Sequence, residues 1–257
     1  MENPMPASSP ARHSPTSYRT TARTVGVIYL AGMVLGVGGN ILVQSILGAP
    51  DHLTALAANG MLVAIGALLW LLPAAGDAAH GILMFPVLRR HSERIAVGYL
   101  ATRIIDAVFV AVMALLILVQ IPLGSEYLRA GASDTSHLQA LSAVLAQGQL
   151  YAYHFGMLTV GFAGLMLCYV FYRAQLVPRL LGAWGLVGYA IILGGSVLEV
   201  LGFNLSLIHT VPGGLWEVFI GGWLIARGFR ASTVPSEPAT SATAPGRASP
   251  EAVSATA

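Results

Sequence analysis

The sequence predicts an all-α fold: an integral membrane bundle of six transmembrane helices with both termini cytoplasmic and disordered tails. Three observations predict it. Hydrophobic residues fill 56% of the 257 positions and charged residues only 9%, where a water-soluble chain carries about a quarter charged. Mean hydropathy is +0.73, and the apolar residues fall in stretches of at least ~20, the length needed to cross roughly 30 Å of hydrocarbon at ~1.5 Å per residue. All 13 basic residues are arginines, and most flank the apolar stretches with a one-sided bias.

The elements follow in order. Residues 1–24 are rich in Pro, Ser, Thr and Ala and are expected to form a disordered cytoplasmic tail, because they bury too little apolar surface to offset chain entropy. The membrane domain occupies 25–230. Its first span, 25–47, starts after Arg23 with no small-residue cleavage pattern behind it, and reads as a retained helix. Gly32, Gly36, Asn40 and Gln44 recur every four residues there, a stripe expected to face another helix. The second span, 61–88, holds Pro73, Gly76 and Gly81 and should tilt or kink, since splitting it leaves a piece too short to cross. The third is 95–121. An extracytoplasmic loop, 122–149, follows it. In that loop Leu138, Leu141 and Leu145 at helical spacing predict an amphipathic helix, on the outer surface or extending the fourth span, with Ser133 and Asp134 as capping types. The fourth, fifth and sixth spans are 150–172, 180–201 and 207–229. Residues 231–257 repeat the tail composition and are expected to be a second disordered cytoplasmic tail.

Charge placement fixes the predicted orientation. With six spans and the N-terminus inside, 11 of the 13 arginines lie on the cytoplasmic side, Arg129 lies outside and Arg103 is within the membrane; seven spans would reverse the later clusters. The same pattern explains the net charge of +2 without a nucleic-acid partner, for which there is no basic stripe or recognition motif. The single cysteine, Cys168, excludes an intramolecular disulfide. There is no phosphate-binding glycine loop, no GxSxG elbow and no CxxC. His52, His154, Glu199 and His209 fall near the outer face but carry no ligand motif, so neither a metal nor a cofactor is predicted, and Glu199 is expected within reach of water.

Ionisable residues deep in the spans are the candidate site. Asp77 in the second span, Asp106 in the third and Glu217 in the sixth lie about 10 or 11 residues from the cytoplasmic end of their helix, near a depth of ~15 Å, with Arg103 one turn below Asp106. His80 follows Asp77 by one turn, as Asp106 follows Arg103. A charge facing lipid at that depth costs roughly 2.5–3.5 kcal/mol. The four should therefore face one another, Arg103 reaching Asp77 or Glu217 across helices. Three carboxyl groups share one guanidinium, so at least one is expected to be protonated or paired with a charged His80.

Four stretches resemble a known family of bacterial multi-pass proteins: ILMFPVLRRHSERIAVGYLATRIIDAV (82–108), YHFGMLTVGFAGLMLCYVFYRAQLVPRLLGAWGLVGYA (153–190), GGSVLEVLGF (194–203) and PGGLWEVFIGGWLIARGF (212–229). The family is the domain of unknown function 4386. Its members typically carry glutamate at the position of Asp106, phenylalanine at Trp216 and often lysine at Arg227. The resemblance implies a six- to seven-helix protein of the bacterial cytoplasmic (inner) membrane in which Arg103, Asp106 and Glu217 belong to a recurring pattern, and it implies no activity. The sequence thus leads to a non-enzymatic membrane protein with a buried polar cluster, a binding or structural module whose partners are the lipid bilayer and either a small-molecule ligand or a partner helix. Proton-linked transport of a small solute is the second reading, and an intramembrane enzyme the third.

Overall fold

The computed structural model describes residues 15–131 and 135–230, and all the regular structure there is helical. Six α-helices follow in order: α1 (Pro15–Leu47), α2 (His52–Arg89), α3 (Glu93–Ala130), α4 (Ser136–Arg173), α5 (Arg179–Val200) and α6 (Val211–Ala226), the last entered through a 3₁₀ turn at Ser206–Thr210. Five of them, α1 to α5, are long and apolar enough to cross a membrane. Residues 1–14, the capping types Ser133 and Asp134, and the tail 231–257 lie outside the described residues.

Boundaries shift in physically legible ways. Residues 15–24, expected in a disordered tail, already belong to α1: Ala22 is fully buried and Tyr18 packs on the core, with the Arg90 guanidinium 4.8 Å above the Tyr18 ring. Non-helical backbone within α2 occurs at Asn59 (φ −125°, ψ 23°), and α2 runs through both Pro73 and Pro86. Asn59 precedes a glycine, and its side-chain amide donates to the Ala55 carbonyl at 3.0 Å, the acceptor that its own backbone N–H would use in a regular helix.

The segment 122–149, expected as an extracytoplasmic loop, is mostly helix among the described residues. Pro122 removes one backbone donor but does not end α3, which continues to Ala130 because Leu123 and Gly124 are buried against α2. A side chain at Gly124 would come within 2.7 Å of the Ala57 amide nitrogen. On the other side the amphipathic segment extends the fourth span as the first half of α4. Leu138 and Leu145 pack on the core, while Leu141 is exposed.

Each helix packs on its sequence neighbours, and α6 returns to α1. Helices that are not neighbours barely touch, so the six form a closed ring. The seams run through glycines where backbones approach closely: Gly26 of α1 lies under Gly221 of α6, a Cβ there being 2.6 Å from the Gly221 carbonyl, and Gly39 of α1 meets Gly66 of α2 in the same way. Of the stripe on α1, Gly32 and Gly36 face Pro73 and Trp70 of α2, whereas Gln44 is exposed. Inside the ring are two apolar cores. One gathers Tyr29, Met84, Tyr99, Leu167 and Trp216; the other gathers Val43, Leu56, Val63, Met113 and Ile117. On α2 and α3 the segments carrying Asp77, Arg103 and Asp106 lie between them.

Candidate functional site

The polar groups between and beside the two cores come from all six helices, Tyr29 and Tyr189 being members of the first core. Arg103 and Asp106 stand one turn apart on the buried face of α3, and Arg103 reaches across to α2, where its Nη2 donates to Asp77 Oδ1. Its Nη1 lies 3.7 Å from Asp106 Oδ2. One guanidinium thus lies between two carboxyl groups, tying α2 to α3 through Asp77. Glu217 comes from α6 and accepts a 2.9 Å hydrogen bond from the Tyr189 hydroxyl of α5. It is within electrostatic reach of Arg103 and Asp77. Tyr153 of α4 lies within electrostatic range of Glu217 and Asp106, and Tyr29 of α1 within that of Glu217 and Arg103.

Burial differs across the layer. Arg103 is 6% and Asp106 1% exposed, while Asp77, Glu217 and Tyr153 are half-buried. Among the described residues, Arg103 Nε and both carboxyl oxygens of Asp106 are buried without a hydrogen-bond partner. A buried polar atom left so costs about 1–3 kcal/mol, more when charged. The Arg103 Nε is left with a donor that the described residues do not meet, and Asp106 lies close enough to Asp77 for the two carboxyl groups to share a hydrogen bond when one carries a proton.

His80 is placed differently from the other candidates. It is fully buried, but its Nδ1 hydrogen-bonds the Tyr99 hydroxyl at 3.1 Å and its ring packs edge-on against Tyr29, with centroids 4.7 Å apart. Among the described residues it forms no ion pair with Asp77. The aromatic wall continues through Trp216, which lies edge-to-face with Tyr29 and with Tyr189 at 6.0 Å and 5.3 Å and is anchored by its Nε1 donating to the Leu181 carbonyl at 2.7 Å. Cys168 is buried under this wall and is a packing residue.

The four residues expected near the outer face fall in two places. His52 hydrogen-bonds Ser142 at 3.0 Å, away from the other three. His154, Glu199 and His209 gather where α4, α5 and the 3₁₀ turn meet: His154 Nε2 is 3.8 Å from Glu199 Oε2, and the two imidazole rings are 6.0 Å apart. Glu199, expected near water, is only 13% exposed. It is drawn in because its Oε1 accepts the Leu205 backbone N–H at 2.7 Å, closing the turn after α5. His209 Nδ1 donates to the Ser206 carbonyl at 2.9 Å, which leaves Nε2 of the neutral ring to accept from Ser196, 3.4 Å away. No three His, Cys, Asp or Glu side chains among the described residues are grouped to hold a metal ion.

Tyrosines are what the sequence reading missed. Tyr29, Tyr153 and Tyr189 each lie inside an apolar run, although membrane tyrosines are enriched at the interfaces; Tyr189, at the middle of α5, was the available signal. No curated protein and no solved structure matches this chain. A family model does, over residues 24–228, from the end of the N-terminal segment to the end of the helix ring. The chain belongs to the family described as Domain of unknown function (DUF4386).

Proposed function

We propose that this protein spans the cytoplasmic membrane of a bacterium six times, with both termini inside, and that the polar layer at the centre of its ring binds a small polar ligand. The 16-residue α6 is short for a span at ~24 Å. The 3₁₀ turn continues directly into it, so the combined segment 206–226 reaches across most of a core roughly 30 Å thick. The orientation rests on the arginine asymmetry. The observation that carries the binding role is that Asp77, Glu217 and Tyr153 are only half-buried while polar atoms of Arg103 and Asp106 are buried without a hydrogen-bond partner. A pure packing layer would cover its acids as completely as Asp106 is covered.

The test is chemical access to the layer. In a Cys168→Ser background, Glu217→Cys and Tyr153→Cys are reacted with a water-soluble thiol reagent, using purified protein in nanodiscs so that both faces are open. Both should react faster than native Cys168 in the unaltered protein, which is fully buried. Thiols as inert as Cys168 would identify a dry structural layer and overturn the binding role. A second reading, proton-linked transport of a small solute, draws on the excess of acids over Arg103. It requires that thiol access alternate between the two faces and that solute uptake into proteoliposomes depend on a pH gradient. The third, an intramembrane enzyme, has only the Ser196–His209 contact in its favour, and both of those residues are buried.

A further inference from the structure

A groove of about 550 Å³ lies between the first turn of α5 and the last turns of α6, lined by Pro178, Leu180 and Leu181 on one side and by Phe219, Gly222 and Trp223 on the other. Its walls are apolar yet open to the surroundings, Leu180 being 79% and Phe219 58% exposed. Because α5 is long and apolar enough to cross a membrane, this face meets hydrocarbon rather than water. We infer that the groove seats one anionic phospholipid, an acyl chain lying along Phe219, Gly222 and Trp223 and the phosphate held at the mouth by Arg179 and Arg227. The inference depends on the chain spanning a membrane and not on a ligand in the central layer.

Charge selects the headgroup. Two exposed arginines stand at the end of the groove where both helices reach their termini. Arg179 falls between the lining residues Pro178 and Leu180, and the Arg227 guanidinium lies 5.9 Å over the ring of Trp223, a third lining residue. Arg173 closes α4 at the same end, and the Arg230 backbone N–H returns there to the Leu176 carbonyl at 2.9 Å. Between Arg173 and Arg230 the acids are Glu199 and Glu217. Glu199 is engaged beyond the other end of α5 by the Leu205 amide, and Glu217 by the Tyr189 hydroxyl, so neither α5 nor α6 offers these arginines an acid. The first-turn amides of α5 add to the same field, since its N-cap is Pro178 with no side-chain cap. Arginine suits a phosphate because its planar fork donates two N–H groups together.

The combination selects an amphiphile. A free phosphate ion meets the arginines but leaves the apolar groove empty, and a neutral lipid fills the groove but leaves the arginines unanswered. A second copy of the chain is disfavoured by symmetry: a two-fold pair in one membrane sets like against like, which brings Arg179 and Arg227 of each copy towards those of the other, at a cost in repulsion. An anionic phospholipid satisfies both parts, as basic pockets between membrane helices do for acidic headgroups. The groove also has room at its floor, where a Cβ added to Gly222 would meet nothing within 4 Å.

The experiment places the purified full chain in phosphatidylcholine nanodiscs and adds, at equal mole fraction, phosphatidylglycerol or phosphatidylcholine with brominated acyl chains, which quench the tryptophans they touch. Brominated phosphatidylglycerol should be preferred about tenfold or more, and each of Arg179→Gln and Arg227→Gln should lower that preference about fivefold. Arg129→Gln, which removes an arginine paired with Glu126 near the end of α3, should leave it unchanged. The excess quenching should be lost in Trp184→Phe/Trp223→Phe, since Trp223 lines the groove and Trp184 is 5.1 Å from Phe219. Gly222→Leu, whose side chain enters open space, should fold normally and lose the preference by filling the groove. Circular dichroism and size exclusion establish that each variant is folded. Equal quenching by the two lipids, or an excess that survives Arg179→Gln/Arg227→Gln or the loss of both tryptophans, would overturn the site. A preference kept by Gly222→Leu, or displacement by soluble glycerol phosphate as effective as by unbrominated phosphatidylglycerol, would leave the arginines a headgroup contact without a seated chain and overturn it too. A dimer in native mass spectra that Gly222→Leu dissociates would give the groove to a second copy.

Discussion

Replacing Arg103 with leucine tests whether the layer is held by one shared guanidinium. Arg103 is paired with Asp77 and stands 3.7 Å from Asp106, at side-chain exposures of 7%, 22% and 1%, so the buried regime applies rather than the surface one. Removing one partner of a buried pair costs about 3–5 kcal/mol, because the other charge is left uncompensated, whereas removing both is far less damaging. For a domain of this size about 1 kcal/mol corresponds to roughly 2–4 °C, so Arg103→Leu should lower the unfolding midpoint by about 6–20 °C. Adding Asp77→Asn removes one stranded charge at nearly constant shape, and the double variant should recover about half of that loss. Arg103→Leu with Glu199→Gln should recover nothing, since Glu199 is engaged at the outer end by His154 and the Leu205 amide. The assay is thermal unfolding of purified protein in one detergent, with the double-mutant cycle giving the coupling directly. An Arg103→Leu/Asp77→Asn variant no more stable than Arg103→Leu would refute the reasoning, whatever the size of the single loss.

Three other outcomes are expected. A methyl group at Gly164 would overlap the Tyr189 ring, so Gly164→Ala should destabilise by about 1–3 kcal/mol; Gly38→Ala, where nothing lies within 4 Å, should be neutral or gain up to ~1 kcal/mol of helix propensity, and thermal unfolding compares them. In a Cys168→Ser background, intact cells treated with an impermeant thiol reagent should label Gln139→Cys and not Glu93→Cys, both positions being exposed; equal labelling, or labelling at 93 alone, reverses the orientation. His91, between α2 and α3, is held below its ordinary pKa of about 6.5 by partial burial and by the adjacent Arg90. The folded protein therefore binds fewer protons there than the unfolded chain. This contribution to stability is present above about pH 6.5 and is lost as pH falls through the lower folded value. His91→Gln should flatten that part of the acid loss in unfolding midpoints taken from pH 8 to pH 5, and an unchanged slope would remove His91 from the account.

Hydropathy and charge marked the helices well because burying an apolar run and excluding a charge are properties of single segments. Asp77, Arg103, Asp106 and Glu217 were visible at a common depth for the same reason: helix rise converts residue count to distance. What escaped depends on partners. Pro122 looks like a helix end until Leu123 and Gly124 are seen packed on α2. Asn59 looks less disruptive than Pro73, yet it is the one whose side chain takes a backbone acceptor. His80 shares a helix face with Asp77, but its ring is claimed by Tyr29 and Tyr99 from two other helices. The tyrosines of the layer read as apolar residues in apolar runs, and only the closure of α6 on α1 brings Tyr29 near Glu217.

Closure also explains why the layer is polar on all sides. In a ring, each helix presents a lipid face and a narrow inner face, and the inner face at any one level has room for only one or two side chains per helix. A charge there cannot be answered from its own helix beyond the next turn, so its neighbours must carry the answering groups, and Tyr29, Asp77, Arg103, Tyr153, Tyr189 and Glu217 provide one from each. The cluster of His154, Glu199 and His209 shows how such a group looks when its donors and acceptors are largely matched: Glu199 takes the Leu205 amide, and both nitrogens of His209 have partners, although among the described residues His154 Nδ1 has none. The central layer is less complete, with Asp106 contributing two carboxyl oxygens and Arg103 its Nε to no bond. Register could be fixed as well by an amide pair at lower electrostatic cost, since membrane hydrogen bonds average only ~0.6 kcal/mol. Three acids around one arginine exceed what fixing register requires, and the proposed binding role rests on that excess.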